Sequence, residues 1–298
     1  MAINARVIEL GQGIWAYEQP PGDWFKNNTG WIAGPDRTVL VDTCATERRT
    51  RAMLDAVRET VDPAVPVDLV LTHHHGDHVN GAGLVAREGG TVWAAPAALP
   101  VIAAGPHLLP QAFRFDGWGD VAPPAGIRGT TLERLDVGGR QVRVMQASGT
   151  AHTVGDLIVW LPDSGTLFTG DLVFDGVTPL AAQGSVIGWR KALDWLAALN
   201  PKRLVPGHGP VSTSDATAPI SALAEYFDWI LDVSGVDSPD FAALHEQATK
   251  RWPDWLDAER HAVNLRMAHA EQHGRELSIA EVMGVMLQCC GGPITLDL

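Results

Sequence analysis

The stretch Leu71-Thr72-His73-His74-His75-Gly76-Asp77-His78 places four histidines and one carboxylate within six residues, directly behind an apolar run. Imidazoles and carboxylates are the nitrogen and oxygen ligands that Zn²⁺ or Fe²⁺ takes, and so tight a cluster suits neither a core nor a solvated face. If the segment stays extended, alternate side chains point the same way, so His73 and His75 can hold one ion together. His74 then faces away, into packing or a hydrogen bond behind the ligands. Asp77 and His78 follow on the turn and can address a second ion.

Two ions need further donors, and the chain offers three at turns expected just after strands. His152 stands in Ser148-Gly149-Thr150-Ala151-His152-Thr153, Asp171 in Phe168-Thr169-Gly170-Asp171, and His208 in Val205-Pro206-Gly207-His208-Gly209-Pro210. Each alone is a common turn sequence; with the first cluster they make an ordered set of seven donors. Four later histidines, His245, His261, His269 and His273, form no ligand pattern and read as solvated or capping residues.

The elements that must position these donors follow from periodicity. Residues 7–10 and 14–17 read as a hairpin across Gly11-Gln12-Gly13, and 29–33 and 38–41 as strands joined by Gly34-Pro35-Asp36, with Asp42 at the end. Residues 46–60 have helical spacing, with Met53, Leu54 and Val57 on one side. Residues 67–71 form a buried strand, which puts His73 at its C-terminal end, where sites in α/β folds collect. A helix over 80–88 and a strand over 91–94 come next.

Further strands are expected at 131–137, 141–146, 156–161, 166–168 and 203–205, with a helix over 185–199. This repeated order of strands and helices predicts two sheets packed face to face with helices outside. From Ser214 the pattern is almost continuously helical, over 216–233, 239–251, 255–273 and 278–288, with Ser238 before Pro239 as an N-cap. The expected organisation is therefore a catalytic domain over 1–213 and a helical extension over 214–298 packed on or beside it.

Composition narrows the function. The 298 residues, 46% of them hydrophobic, suffice for a large core, and the formal charge of −13 argues against a nucleic-acid partner, which needs clustered Lys and Arg. No apolar run of about 18 residues and no signal-peptide pattern occurs, so a cytoplasmic location without membrane association is expected. Cys44, Cys289 and Cys290 form no disulfide framework and no C-x-x-C pattern. The expected partner is a small-molecule substrate, with a homodimer allowed as the assembly.

The series His73-x-His75-x-Asp77-His78, His152, Asp171 and His208, with Asp42 after an early strand, resembles the motif series of the metallo-β-lactamase fold superfamily over residues 7–210. The runs around His73 to His78 and Phe168-Thr169-Gly170-Asp171 are particularly similar to hydroxyacylglutathione hydrolases, also called glyoxalase II. The resemblance implies an α/β fold, an αββα sandwich with a C-terminal helical extension. It also implies two Zn²⁺ per chain along one edge, iron or manganese being the alternatives. By position, His73, His75 and His152 would hold one ion and Asp77, His78 and His208 the other. Asp171 would bridge them, and Asp42 would orient the histidine loop. β-Lactamases of this fold lack an aspartate at the position of Asp171, so that residue points to esterase, thioesterase and lactonase branches. The C-terminal helices echo the appendage of glyoxalase II without matching its glutathione-binding residues.

The expected activity is hydrolysis of an ester, thioester or lactone by a hydroxide that the metal pair activates, with Asp77 orienting the nucleophile or relaying its proton. Alternatives are an iron oxidoreductase of the persulfide dioxygenase type and a β-lactam hydrolase. A nuclease is disfavoured by the acidic charge, and a closed structural zinc site by the excess of ligands. Pocket walls are expected from Trp24 and Phe25, from Phe113, Phe115 and Trp118, and from residues 175–189, aromatic or apolar stretches that suit a neutral, hydrophobic substrate.

Overall fold

The computed structural model describes residues 3–298. Its first half forms strands β1 (Arg6–Gly11), β2 (Ile14–Glu18), β3 (Thr29–Ala33) and β4 (Thr38–Val41), then helix α1 (Glu47–Thr60) and β5 (Val67–Val70). Helices α2 (Gly76–Val79) and α3 (Ala82–Arg87), β6 (Val92–Ala94), α4 (Leu99–Ala103) and the short strands β7 (Phe113–Arg114) and β8 (Arg128–Gly129) follow. The second half runs β9 (Leu132–Val137), β10 (Arg140–Gln146), β11 (Leu157–Leu161), β12 (Thr166–Phe174), α5 (Val186–Ala198) and β13 (Arg203–His208). Helices α6 (Ala218–Ser234), α7 (Phe241–Arg251), α8 (Arg260–Gln272) and α9 (Ile279–Cys290) and the strand β14 (Ile294–Thr295) complete the chain.

Two sheets result, in the orders β1-β2-β3-β4-β5-β6-β8 and β13-β12-β11-β10-β9. Strand periodicity decides what each face meets. In the second sheet Val142, Val144, Leu157, Val159, Leu161 and Phe168 join the core shared with the first sheet. Their neighbours Ile158, Trp160 and Leu167 face the opposite way, into a cluster with Trp189, Leu193 and Leu196 of α5 and Leu223 and Phe227 of α6. On the far side of the first sheet, α1 supplies Met53, Leu54 and Val57, as its helical spacing requires. Each such buried aliphatic stabilises the fold by about 1.5–3 kcal/mol relative to exposure. The layers are thus helix, sheet, sheet, helix.

The C-terminal helices are not a separate knob: Leu265 and Ala268 of α8 belong to the same cluster as α5 and α6. The tail turns back so that β14 pairs in parallel with β7, and Met283 and Met286 of α9 pack with Phe25 and Phe113.

Several expectations need correction. The helix expected over 80–88 is α3, which starts two residues later at Ala82: Asn80 caps the separate short helix α2 and donates to the Ala45 carbonyl, and a Cβ at Gly81 would collide with Thr50. The cap of α7 is Asp240, which accepts from the backbone of Ala242 and Ala243, not Ser238. The loop over 18–28, which carries Trp24 and Phe25, is pinned: Asn27 donates to the Thr43 carbonyl at 2.8 Å and Asn28 to the Pro206 and Gly209 carbonyls at 3.0 and 2.7 Å. His261 is not solvated but fully buried, its Nδ1 3.0 Å from the Tyr226 hydroxyl. Among the described residues no helix is long and apolar enough to cross a membrane.

Candidate metal centre

Four chain segments meet at one edge of the sandwich. The loop after β5 carries His73, His74 and His75 into α2, which presents Asp77 and His78. His152 lies in the connection from β10 to β11, and His208 ends β13. Asp171 lies inside β12, which extends to Phe174 instead of stopping at Phe168. The pairing of β12 with β13 slips on either side of Gly170, whose φ of +49° and contact with Thr72 leave no room for a side chain. That local break turns Asp171 inward.

The ligand atoms of His73, His75, His152 and Asp171 lie within 4.8 Å of one another, and so do those of Asp77, His78 and His208. Asp171 sits between the groups. Its Oδ2 is 3.4 Å from His152 Nε2 and 3.7 Å from His73 Nε2, while its Oδ1 is 3.0 Å from His78 Nε2 and 3.6 Å from His208 Nε2. Asp77 Oδ2 lies 3.0 Å from His208 Nε2.

The outer ring nitrogens show which lone pairs are left for an ion. His78 Nδ1 donates to Asp42 Oδ2 at 2.8 Å, and His208 Nδ1 donates to the Gly22 carbonyl at 2.8 Å. Thr72 gives its hydroxyl proton to Asp42, so its oxygen accepts from His73 Nδ1 at 3.0 Å. In all three the Nε2 atom faces inward, where an ion taking the place of any proton there would find its lone pair. His73 Nε2, His78 Nε2 and Asp171 Oδ1 are buried without hydrogen-bond partners, an arrangement that is costly unless a cation takes them up. This donor set fits a pair of divalent ions.

Electrostatics agree. Burial, with His78 beside it, drives His73 well below the usual imidazole pKa, and burial with His75 does the same to His152. Burial pulls His78 down too, but Asp171, Asp42 and Asp77 outweigh it and hold its pKa well above the usual value. Asp171 is buried, yet His78, His208 and His73 keep its carboxyl well below the ordinary range. The carboxylates thus demand positive charge in a place where water is scarce.

Asp42, expected behind the ligands, is 1% exposed and accepts from the Thr72 backbone N–H and hydroxyl, each at 2.7 Å, as well as from His78. His74 turns away from the centre, with Nε2 3.4 Å from Gln183 Oε1.

A cleft with about 760 Å³ of empty space, solvent mouth included, opens on the centre. Trp24, Phe25 and Phe113 line it, with rings 4.8 Å (Trp24 and Phe113) and 5.0 Å (Phe25 and Phe113) apart. Phe115 and Trp118 do not line it; Trp118 packs behind Phe25 at 5.3 Å and Phe115 behind Trp118 at 5.1 Å. Leu180, Ala182 and Gln183 come from the segment after β12.

The 175–189 stretch expected as a wall does line the cleft, through Leu180, Ala182 and Gln183, but Arg260 and Met283 were not singled out from sequence, nor was Gln183 as a partner of the ligands. An arginine or glutamine far along the chain carries no local signal of such a place.

Comparison with known proteins places this geometry. The family model of the metallo-beta-lactamase superfamily matches residues 22–208. Hydroxyacylglutathione hydrolase of Rhodobacter capsulatus is 30% identical over 141 residues, 47% of this chain and 47% of that protein. The enzyme of the same name from Ruegeria pomeroyi is 33% identical over 181 residues, 60% of this chain and 56% of that one. The chain spans about half the length of the curated relatives it matches. In fold it is similar to a metallo-beta-lactamase family protein of Thermus thermophilus, with a TM-score of 0.64 at 22% identity, covering 88% of this chain and 93% of the other. With its matched region spanning all seven donors, the chain belongs to the metallo-beta-lactamase superfamily.

Proposed function

We propose that the protein is a metal-dependent hydrolase that uses two ions, zinc in the first instance, to cleave an ester, thioester or lactone of a small apolar substrate. The observation that carries this reading is the division of Asp171, with one oxygen toward His73 and His152 and the other toward His78 and His208, at the floor of an apolar cleft.

His73, His75 and His152 would hold one ion, Asp77, His78 and His208 the other, and Asp171 both. When bound, such a pair supplies Lewis-acid activation of a water nucleophile and of the substrate carbonyl. The chain's own residues do the rest. Asp77 lines the cleft, and His78 and His208 outweigh its burial to keep its carboxyl ionised. It can therefore orient the attacking water, accept its proton and pass that proton to the leaving group.

The walls support a neutral substrate. Arg260 is buried in the wall, but its Nη2 is 2.8 Å from Asp257 and its guanidinium lies 3.7 Å from the Trp24 ring centroid, so its charge is matched and stacked. Trp24, Phe25, Phe113, Leu180 and Met283 make most of the remaining surface apolar.

The name of the bacterial relatives makes acyl thioesters the first arm of the test, with acyl lactones and aryl esters beside them. Turnover in at least one arm, lost on mild chelation and restored by Zn²⁺, is the expected result. Failure of the zinc-loaded protein on all three overturns the reading.

A further inference from the structure

Among the ligand histidines, His75 is the one whose outer nitrogen meets a side chain from the far half of the molecule. Its Nε2 is 2.8 Å from Oε1 of Gln183, while its Nδ1 faces His152 Nε2 at 2.9 Å across the centre. The same Gln183 oxygen lies 3.4 Å from His74 Nε2. An amide oxygen only accepts, so both rings present N–H at Nε2 and the lone pair of His75 is left at Nδ1, where the first ion would sit.

Gln183 is held in place for this. Asn264 of α8 donates to the Pro179 carbonyl at 2.8 Å and accepts from Ala181 N–H at 2.9 Å, and Arg260 donates to the Thr178 carbonyl at 2.9 Å. Beyond Gln183, Ser185 N–H donates to the Ala151 carbonyl at 2.8 Å, and a Cβ at Gly184 would strike the carbonyls of Ala151 and His152. The segment is wedged between α8 and the turn that carries His152.

We propose that Gln183 is a positioning residue of the metal centre: its amide oxygen fixes the tautomer and ring plane of His75, and helix α8 holds the segment that presents it. The C-terminal helices are then part of the centre's construction. This rests on the reading of His73, His75 and His152 as ligands.

The test compares wild type with Gln183→Met, which has similar length and no strong acceptor, and Gln183→Glu, which keeps one. Gln183 is exposed at the cleft, so neither change disturbs a packed core. Zn²⁺ affinity is measured by competition with a chromophoric chelator, and the His75 tautomer by ¹⁵N NMR of the histidine rings.

Loss of an outer partner weakens metal binding roughly 10–100-fold. Gln183→Met should show that loss at one site, with a mixed His75 tautomer, and Gln183→Glu should stay within about threefold of wild type by the same reasoning. A Gln183→Met protein with wild-type affinity at both sites and His75 still protonated at Nε2 overturns the proposal alone. A wild-type protein that takes up no zinc overturns it together with the reading beneath it.

Discussion

Asp42→Asn isolates the support beneath the second ion. Asp42 sits at φ +62°, a conformation that asparagine tolerates, so the backbone should hold. Its carboxylate accepts three hydrogen bonds, from the Thr72 N–H and hydroxyl, each at 2.7 Å, and from His78 Nδ1 at 2.8 Å. An asparagine must turn its oxygen to the Thr72 N–H, which can only donate. Its amide N–H₂ then faces the Thr72 hydroxyl and His78. The hydroxyl can rotate to accept, but His78 can accept at Nδ1 only by moving its proton to Nε2.

Nε2 is the atom that lies 3.0 Å from Asp171 Oδ1 at the centre, so the proton blocks the lone pair an ion needs. Removing such a partner weakens metal binding about 10–100-fold, or roughly 1.4–2.8 kcal/mol. Loss of charge assistance in buried hydrogen bonds destabilises the fold by about 1–3 kcal/mol. Two-site chelator competition and thermal unfolding read the two effects separately. The reasoning is refuted if both sites bind zinc within threefold of wild type.

Other substitutions probe separate links. Asp77→Asn should lower turnover by about 10²-fold or more with the fold intact, since the amide cannot take a proton from water; near-normal kcat with metal bound removes Asp77 from the mechanism. Gly207→Ala would place a Cβ on Asp171 Oδ1 and should destabilise the chain by about 1–3 kcal/mol and weaken metal binding, read by denaturant unfolding and zinc titration.

Burial raises the Asp257 carboxyl from 3.8 to about 6, so the folded chain holds this proton more tightly than the unfolded one. Stability from this group therefore falls as pH rises between about 4 and 6, by up to roughly 3 kcal/mol, and is level above. Asp257→Asn should flatten that slope in unfolding measured across the window; an unchanged slope contradicts the assignment.

The parts of the site that are legible in the sequence share one property: their geometry is local. Residues 73–78 carry both the donor types and the alternation that separates His73 and His75 from His74, and Asp42 follows its strand as apolar periodicity requires. Asp171 could be recognised as a donor but not placed. Nothing in Phe168-Thr169-Gly170-Asp171 says that the strand continues to Phe174 with a kink where it crosses Thr72. Gln183 and Arg260 depend on α8 returning to the sheet edge, a tertiary event that helical spacing does not encode. Phe115 and Trp118 have the composition of a pocket wall but lie one layer behind it. His261 looks like a surface histidine until Tyr226, in the middle of α6, is brought against it.

Sharing of two ions by Asp171 underlies the proposed chemistry. Crystals grown with zinc and measured at the zinc absorption edge test it most directly. Two anomalous peaks per chain are expected about 3.5–4 Å apart, one among His73, His75 and His152 and one among Asp77, His78 and His208, with an Asp171 oxygen toward each. One ion, or two that leave Asp171 uncoordinated, would contradict it.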